Sequence, residues 1–407
     1  MVLPGTTLLS GQRRARFPLG HAVTLEELAA DPYPVYVRLR EHEPVTWLDA
    51  LGMWYVTGYE DAREAMLDAR RLTTASDRST IFDTFGAHML TSEGAAHDRY
   101  RRATQYAFAP AFVRTQFDVA IGVAATRLVD KFADIGTTEL RTSFASRLPI
   151  QVILLVCGLP SEAEARMRHW YDSFEAALAN FAWDQAVRAR ARASLVDFHG
   201  LLDEVIKSAR VSPTDTLVGR LANAPASERL SDEEIRRNLS IIFFGGISTV
   251  EALLLNCLFA LAEHPDTFGR VRQNPALIPQ VVDETMRWLS PVQSATRHAS
   301  QAFEWRGVEF AVGDTVNCMI GAANRDPRIF ADPERFDIHR RNLRRHLGFA
   351  TGAHACLGLN LAKTEARVAL EILLSRLPGV EVDRTASEPP TGYEFRQPRR
   401  LTLNWKV

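Results

Sequence analysis

Apolar residues along the chain recur mainly at three- and four-residue spacing, so helices dominate the expected structure. The pattern predicts helical segments near 95–109, 112–134, 143–157, 160–182, 185–208, 232–263 and 276–288. Near the start, TLEELAADPYPVYVRLREH offers Thr24 as an N-cap and Glu27 at the capping-box position, and Pro32 and Pro34 divide it into two helical pieces. Alternating strand-like runs are short and scattered. PVTWLDALGMWYVTGY reads as a hairpin turning at Gly52, AFEWRGVEFAVGDTV as a second, and RRLTLNWKV as a C-terminal strand. The expected fold is mainly α with small segregated β-sheets. No repeat or low-complexity linker divides the chain. The expected organisation is a poorly ordered lead-in over 1–24, rich in Pro and Gly, and one domain over 25–407.

One stretch departs from this order. IIFFGGISTVEALLLNCLFALA, residues 241–262, is apolar enough for a membrane span, yet Glu251 and Asn256 interrupt it and the charged SDEEIRR precedes it. A central core helix is the expected reading. Gly245 and Gly246 would weaken such a helix by about 1 kcal/mol each relative to alanine, and the hydroxyls of Ser248 and Thr249 follow at once. Packing alone does not ask for that combination.

Composition narrows the chemistry. With 48 Lys and Arg against 49 Asp and Glu, the net charge is −1, and no basic tail points to nucleic acid. The N-terminus lacks the apolar core of a secretory signal. The four cysteines, Cys157, Cys257, Cys318 and Cys356, are far apart and form no C-x-x-C pair, which argues against a thiolate zinc site or a disulfide framework. Reduced cysteines in a cytoplasmic protein are expected, of which at most one need be special.

That one is Cys356. LGFATGAHACLGLNLAKTEARVALEILL leads through a Gly-bearing loop into a helical pattern, so Cys356 is expected near a helix N-terminus, where a thiolate is favoured. Phe349, Gly352, His354, Cys356 and Gly358 form F-x-x-G-x-H-x-C-x-G. This resembles the haem-binding loop of the cytochrome P-450 family, whose cysteine thiolate is the axial iron ligand. The usual loop has glycine directly after the phenylalanine; here Ala350 stands there. ETMR, with Glu284 and Arg287, followed by PERF, with Arg335, is similar to the family's buried structural triad. The resemblance implies haem b as cofactor, with propionates held by His97, Arg101, Arg297 and His354.

The resemblance also accounts for the glycine pair. The family's distal helix carries small-Gly-x-acid-Thr, and Gly245, Gly246, Ile247, Ser248 and Thr249 align with it. Small residues would leave room for dioxygen, a locally opened helix would free a carbonyl for water, and Thr249 would help to deliver protons. Thr249 could equally bond back to a helix carbonyl. Ser248 replaces the family's Asp or Glu, and a hydroxyl relays a proton without supplying one. Glu251, three residues on, lies nearly opposite Thr249 by helical angle, so a simple exchange of roles is not implied.

By the same resemblance, Phe82, Phe85, Phe174, Phe181, Phe244, Val292 and Phe395 are expected to line an apolar substrate pocket. The implied activity is insertion of one oxygen atom from O2 into a small or medium hydrophobic molecule by a soluble bacterial-type monooxygenase. Electrons are expected from a ferredoxin and its reductase. Arg340, Arg341, Arg344, Arg345, Arg99, Arg102 and Lys363 are candidates for a basic docking patch. Two other readings remain at this stage: a peroxide-using haem-thiolate oxidase, motivated by Ser248, and a haem-based sensor.

Overall fold

In the computed structural model, residues 12–180 and 182–407 are described. The chain folds as two compact units whose segments interleave in sequence. The first takes the chain up to Thr73, then Asp283–Cys356 and Pro389–Arg399. The second takes Thr74–Val282, Leu357–Glu388 and Arg400–Val407.

The first unit is built on a five-stranded sheet. Its spatial order is Val45–Leu48, Met53–Val56, Thr315–Met319, Ser294–Ala299 and Leu72–Thr73. The first two strands form the expected hairpin, and Gly52 takes the left-handed φ of +63° at its turn. Met53–Val56 then pairs in parallel with Thr315–Met319, placing Trp54 opposite Val316. Because successive side chains face opposite sides, Trp54 and Val56 enter one core cluster while Met53 and Tyr55 enter another. Both faces of this strand are covered, which explains its unbroken apolar sequence.

The first unit also carries the two predicted helical pieces, Leu25–Ala30 and Tyr33–His42. The capping box is complete: the Glu27 N–H donates to Thr24 Oγ1 at 3.1 Å, and the Thr24 N–H donates to Glu27 Oε2 at 3.0 Å. The second hairpin, Phe303–Trp305 with Val308–Phe310, turns through Arg306 and Gly307, both at positive φ. The helix Tyr59–Leu67 was not among the predicted segments.

The second unit is largely helical. Its helices include Gly94–Gln105, Leu148–Cys157, Glu164–Leu178, Gln185–Val211 and Leu359–Arg376. The segment expected as one helix over 112–134 is two, Pro110–Gln116 and Asp118–Val129, separated by Phe117 at φ −114°. Leu217–Ala222 and Pro265–Gln273 add short helices where Gly and Pro obscured the periodicity. A small sheet closes the unit, with Thr402–Asn404 between Thr137–Glu139 and Glu381–Asp383, antiparallel to both. The apolar stretch 241–262 is almost wholly buried here, as a core helix is.

Candidate functional site

In the first unit, the cysteine loop is shaped by two left-handed residues, Gly352 at φ +80° and Ala350 at φ +54°. Ala350, where the family motif has glycine, therefore holds a left-handed backbone, a conformation that costs an L-residue about 1–2 kcal/mol. The Ala350 methyl packs against the first unit's core cluster, which offsets part of this cost. A β-branched side chain would tolerate the conformation worse. Ala350→Val should lower stability by about 1–3 kcal/mol, and Ala350→Gly should remain close to wild type, as read by thermal unfolding.

The loop ends at Cys356, whose N–H donates to the Phe349 carbonyl at 2.9 Å. Among the described cysteines, Cys356 alone is exposed. Burial pushes the Cys157 thiol up to about 12 and the Cys318 thiol up to about 11, so both stay protonated. Gly358, two residues after Cys356, is the N-cap of Leu359–Arg376, as the sequence pattern predicts.

Behind this loop lies the expected ion pair. Arg287 Nη2 and Nε donate to Glu284 Oε1 and Oε2 at 2.7 and 2.8 Å, and both side chains have no exposed surface. The third member requires a correction. Arg335 is exposed and contributes only its carbonyl, which accepts from Arg287 Nη2 at 2.9 Å. The second cation on Glu284 is Arg340, whose Nε lies 3.0 Å from Oε1. Arg340 side-chain exposure is only 7%, which removes it from the proposed basic patch. Arg341, Arg344 and Arg345 on the same segment are exposed, the last 3.4 Å from Glu60.

Arg297 lies in the strand Ser294–Ala299 and is buried. Its Nη1 donates to the Thr296 carbonyl at 2.9 Å and its Nη2 to the Met66 carbonyl at 3.3 Å. No carboxylate pairs with it among the described residues. A buried guanidinium held only by carbonyls is one charge short of neutral, which suits an external carboxylate. His354 is half-buried in the cysteine loop. Val292 and Phe395 form an isolated antiparallel bridge in this unit, which brings two of the expected pocket residues together. Beside them, Glu394 receives the Ser294 hydroxyl at 2.9 Å, and desolvation pushes its carboxyl up to about 7.

In the second unit, the glycine pair breaks the long helix. One piece, Asp232–Gly245, closes with the Gly246 N–H donating to the Ile242 carbonyl at 3.1 Å. Ile247 departs from helical geometry at φ −107°, ψ −80°, and a new helix runs Ser248–Glu263. A Cβ on Gly245 would have no neighbour within 4 Å, so the break faces open space. Thr249 Oγ1 donates to the Gly245 carbonyl at 2.7 Å, the back-bonded arrangement weighed from sequence. Ser248 accepts a hydrogen bond from the Tyr171 hydroxyl. Glu251 is fully buried and held by Arg141 Nε at 2.6 Å and Arg168 Nη1 at 3.2 Å, so it is a paired structural anion.

His97 and Arg101 sit one turn apart on Gly94–Gln105. His97 is buried with Nδ1 3.2 Å from Asp98, and Arg101 is half-buried. Phe85, Phe174 and Phe244 form one aromatic cluster, with Phe85 ring centroids 5.1 Å from Phe174 and 6.1 Å from Phe244. Phe174 has no accessible surface and also meets Phe198 and Phe243, so it backs the cluster and does not line a cavity. Phe82 is half-buried, and Phe181 lies outside the described residues. Arg99 of the expected basic patch is paired with Glu234, whereas Arg102 is exposed and Lys363 half-buried. Sequence reasoning missed Tyr171, Glu175, Arg168 and Glu394. The first three share one helix face at i, i+4 and i, i+3 spacing, the signal that could have drawn them together.

The cytochrome P450 family pattern covers residues 19–394, and the chain belongs to that family. It is 32% identical over 383 residues to cytochrome P450 107B1 of Saccharopolyspora erythraea, covering 89% of this chain and 91% of that one. It is also 32% identical over 378 residues to the cytochrome P450 monooxygenase PikC of Streptomyces venezuelae, covering 89% and 88%. P450BioI, solved in complex with an acyl carrier protein bearing hexadec-9Z-enoic acid, aligns with a TM-score of 0.85 at 28% identity over 94% of this chain and 100% of that one. The chain is thus a bacterial-type cytochrome P450 monooxygenase, and its family implies a haem. In the first unit, the exposed Cys356 and the buried Arg297, held only by carbonyls, fit such a group.

Proposed function

We propose that this protein is a cytoplasmic haem-thiolate monooxygenase that oxidises a small or medium hydrophobic organic molecule with O2 and electrons from a separate ferredoxin system. The observation that carries this reading is Cys356, the exposed cysteine at the end of a strained loop leading into a helix N-terminus. In this reading Cys356 holds the iron of haem b, and Arg297, His354, His97 and Arg101 hold the propionates, while Phe349, Gly352 and Gly358 shape the surrounding loop. When bound, the haem supplies reductive oxygen activation. The protein's part is to exclude bulk water, position the substrate and bring protons to the Gly245–Thr249 break.

Phe85, Phe244, Phe82, Val292 and Phe395 support an apolar, aromatic-rich substrate surface. The exposed Arg341, Arg344 and Arg345 support an acidic redox partner steered by charge. A peroxide-using oxidase is the second reading, favoured by the neutral Ser248 at the helix break. The relatives' named activities favour an enzyme over the haem sensor.

A panel of aromatic, terpenoid, fatty-acid and polyketide compounds tests the proposal. At least one should convert the haem from low to high spin and yield a product carrying an oxygen atom from O2 with a ferredoxin couple. Product from hydrogen peroxide alone would select the second reading. The propionate assignment has its own test. Charge-assisted contacts contribute about 1.5–3 kcal/mol each, so Arg101→Gln with Arg297→Gln should lower haem retention by at least tenfold in transfer to apomyoglobin. Unchanged retention would remove these residues from the cofactor site.

A further inference from the structure

Ser248 leaves the helix break without an acid, yet the second unit places one two hydroxyls away. The Tyr171 hydroxyl donates to Ser248 Oγ and lies 3.4 Å from Glu175 Oε1. Tyr171 and Glu175 stand at i, i+4 on Glu164–Leu178, so one helix face carries both. Burial changes along the line. Glu175 is half-buried, Tyr171 is 1% exposed and Ser248 is 6% exposed. The Tyr171 ring stacks on Phe244 with centroids 5.3 Å apart and planes 5° from parallel, which fixes where the phenol oxygen points. We propose that Glu175 is the proton donor for this enzyme, acting through the Tyr171 hydroxyl on Ser248 and so replacing the carboxyl that position 248 lacks. This rests on the haem-thiolate monooxygenase reading above.

Directionality supports the assignment. A phenol has one proton to donate, so Tyr171 cannot give it to Glu175 and Ser248 at once. With Glu175 protonated, its O–H donates to the Tyr171 oxygen, and the Tyr171 proton is free for Ser248. Transfer then balances: the carboxyl gives up one proton, Tyr171 and Ser248 each take one and pass one on, the proton from Ser248 would go to dioxygen reduced by electrons from the redox partner, and solvent reprotonates the carboxylate at its half-buried edge. Desolvation, and then the Glu251 carboxylate, hold the Glu175 carboxyl above its usual range, against the opposing pull of Arg168. On its own helix it also faces Asp172, which pairs with Arg168. From the helices packed on it, Asp83 and Arg188 pair with each other, and Asp197 is held by Arg166 and Trp170. Glu251, locked between two arginines, is no competing donor.

Infrared spectroscopy of the purified holoenzyme tests the donor directly. At mildly acidic pH, where a carboxyl raised above its usual range holds its proton in part, the spectrum of wild type minus that of Glu175→Gln should show a protonated-carboxyl band, free of the contribution Glu394 makes to both, and the band should shift in Tyr171→Phe. Under reduction by a plant-type ferredoxin and its reductase, both variants should raise the ratio of hydrogen peroxide released to water formed by about tenfold or more. Glu175→Gln combined with Ser248→Asp should bring that ratio back toward wild type, which a merely structural role for Glu175 does not explain. Absence of the band, or a ratio unchanged in both single variants, overturns the proposal. A chain without the carbon-monoxide spectrum of thiolate ligation would instead defeat the monooxygenase reading. The infrared band then still decides whether Glu175 holds a proton.

Discussion

Alanine in place of Cys356 is expected to abolish oxygen-dependent turnover and the red-shifted Soret band that reduced, carbon-monoxide-bound haem shows under thiolate ligation. The other cysteines cannot substitute, because Cys157, Cys257 and Cys318 are buried, and burial pushes the first and third thiols far above neutral. A weaker replacement such as serine should retain some haem while losing the band, since an alkoxide is far harder to form than a thiolate. The measurement is the difference spectrum of wild type, Cys356→Ala and Cys356→Ser. Persistence of the band in either variant would mean that another residue ligates the iron.

The second large effect is structural. Glu284 is wholly buried and accepts from Arg287, Arg340 and the Asp337 N–H, which lies 2.7 Å away. Its removal leaves two guanidinium groups facing one another out of water. Breaking a buried pair from one side costs about 3–5 kcal/mol, a large part of the stability of most domains, so Glu284→Ala should not accumulate as folded holoprotein. The neighbouring arginines separate by the same logic. Arg340→Ala should be strongly destabilising, whereas Arg335→Ala, which keeps the carbonyl that Arg287 uses, should change stability by less than about 0.5 kcal/mol. Soluble yield and denaturant midpoints read all three. A stable, haem-loaded Glu284→Ala protein would show that this cluster serves some purpose other than holding the first unit together.

Local signals carried much of the architecture. The Thr24–Glu27 box, the Gly52 turn, the Arg306–Gly307 turn and the interruption at Gly245–Gly246 each depend on a few adjacent residues whose chemistry is visible in a string of letters. Pairings between distant segments were less legible. PERF directed attention to Arg335, but the chain turns so that Arg340 reaches Glu284. Nothing local distinguishes two arginines five residues apart until the backbone path between them is known. Phe174 shows the same limit. Its helix position is evident from periodicity, but whether a buried ring lines a cavity or supports another ring depends on Phe198 and Phe243, contributed by other helices. The Tyr171–Ser248 contact spans 77 residues and no motif announces it. Ala350 was visible as a departure, while the positive φ that gives the departure its cost was not.

The interleaved order of the two units also governs how the chain can mature. Met53–Val56 finds one partner in the adjacent strand, but its other edge is completed only by Thr315–Met319. At ordinary rates of protein synthesis, on the order of ten to fifty seconds pass between emergence of the two strands. Through that interval a wholly apolar strand presents unpaired N–H and C=O groups along one side. Meanwhile most of the second unit has been made and can begin to fold. Slow growth temperatures or a chaperone that covers extended apolar segments should therefore improve the yield of this protein more than added haem precursor does, since the vulnerable stage comes before the cysteine loop has left the ribosome.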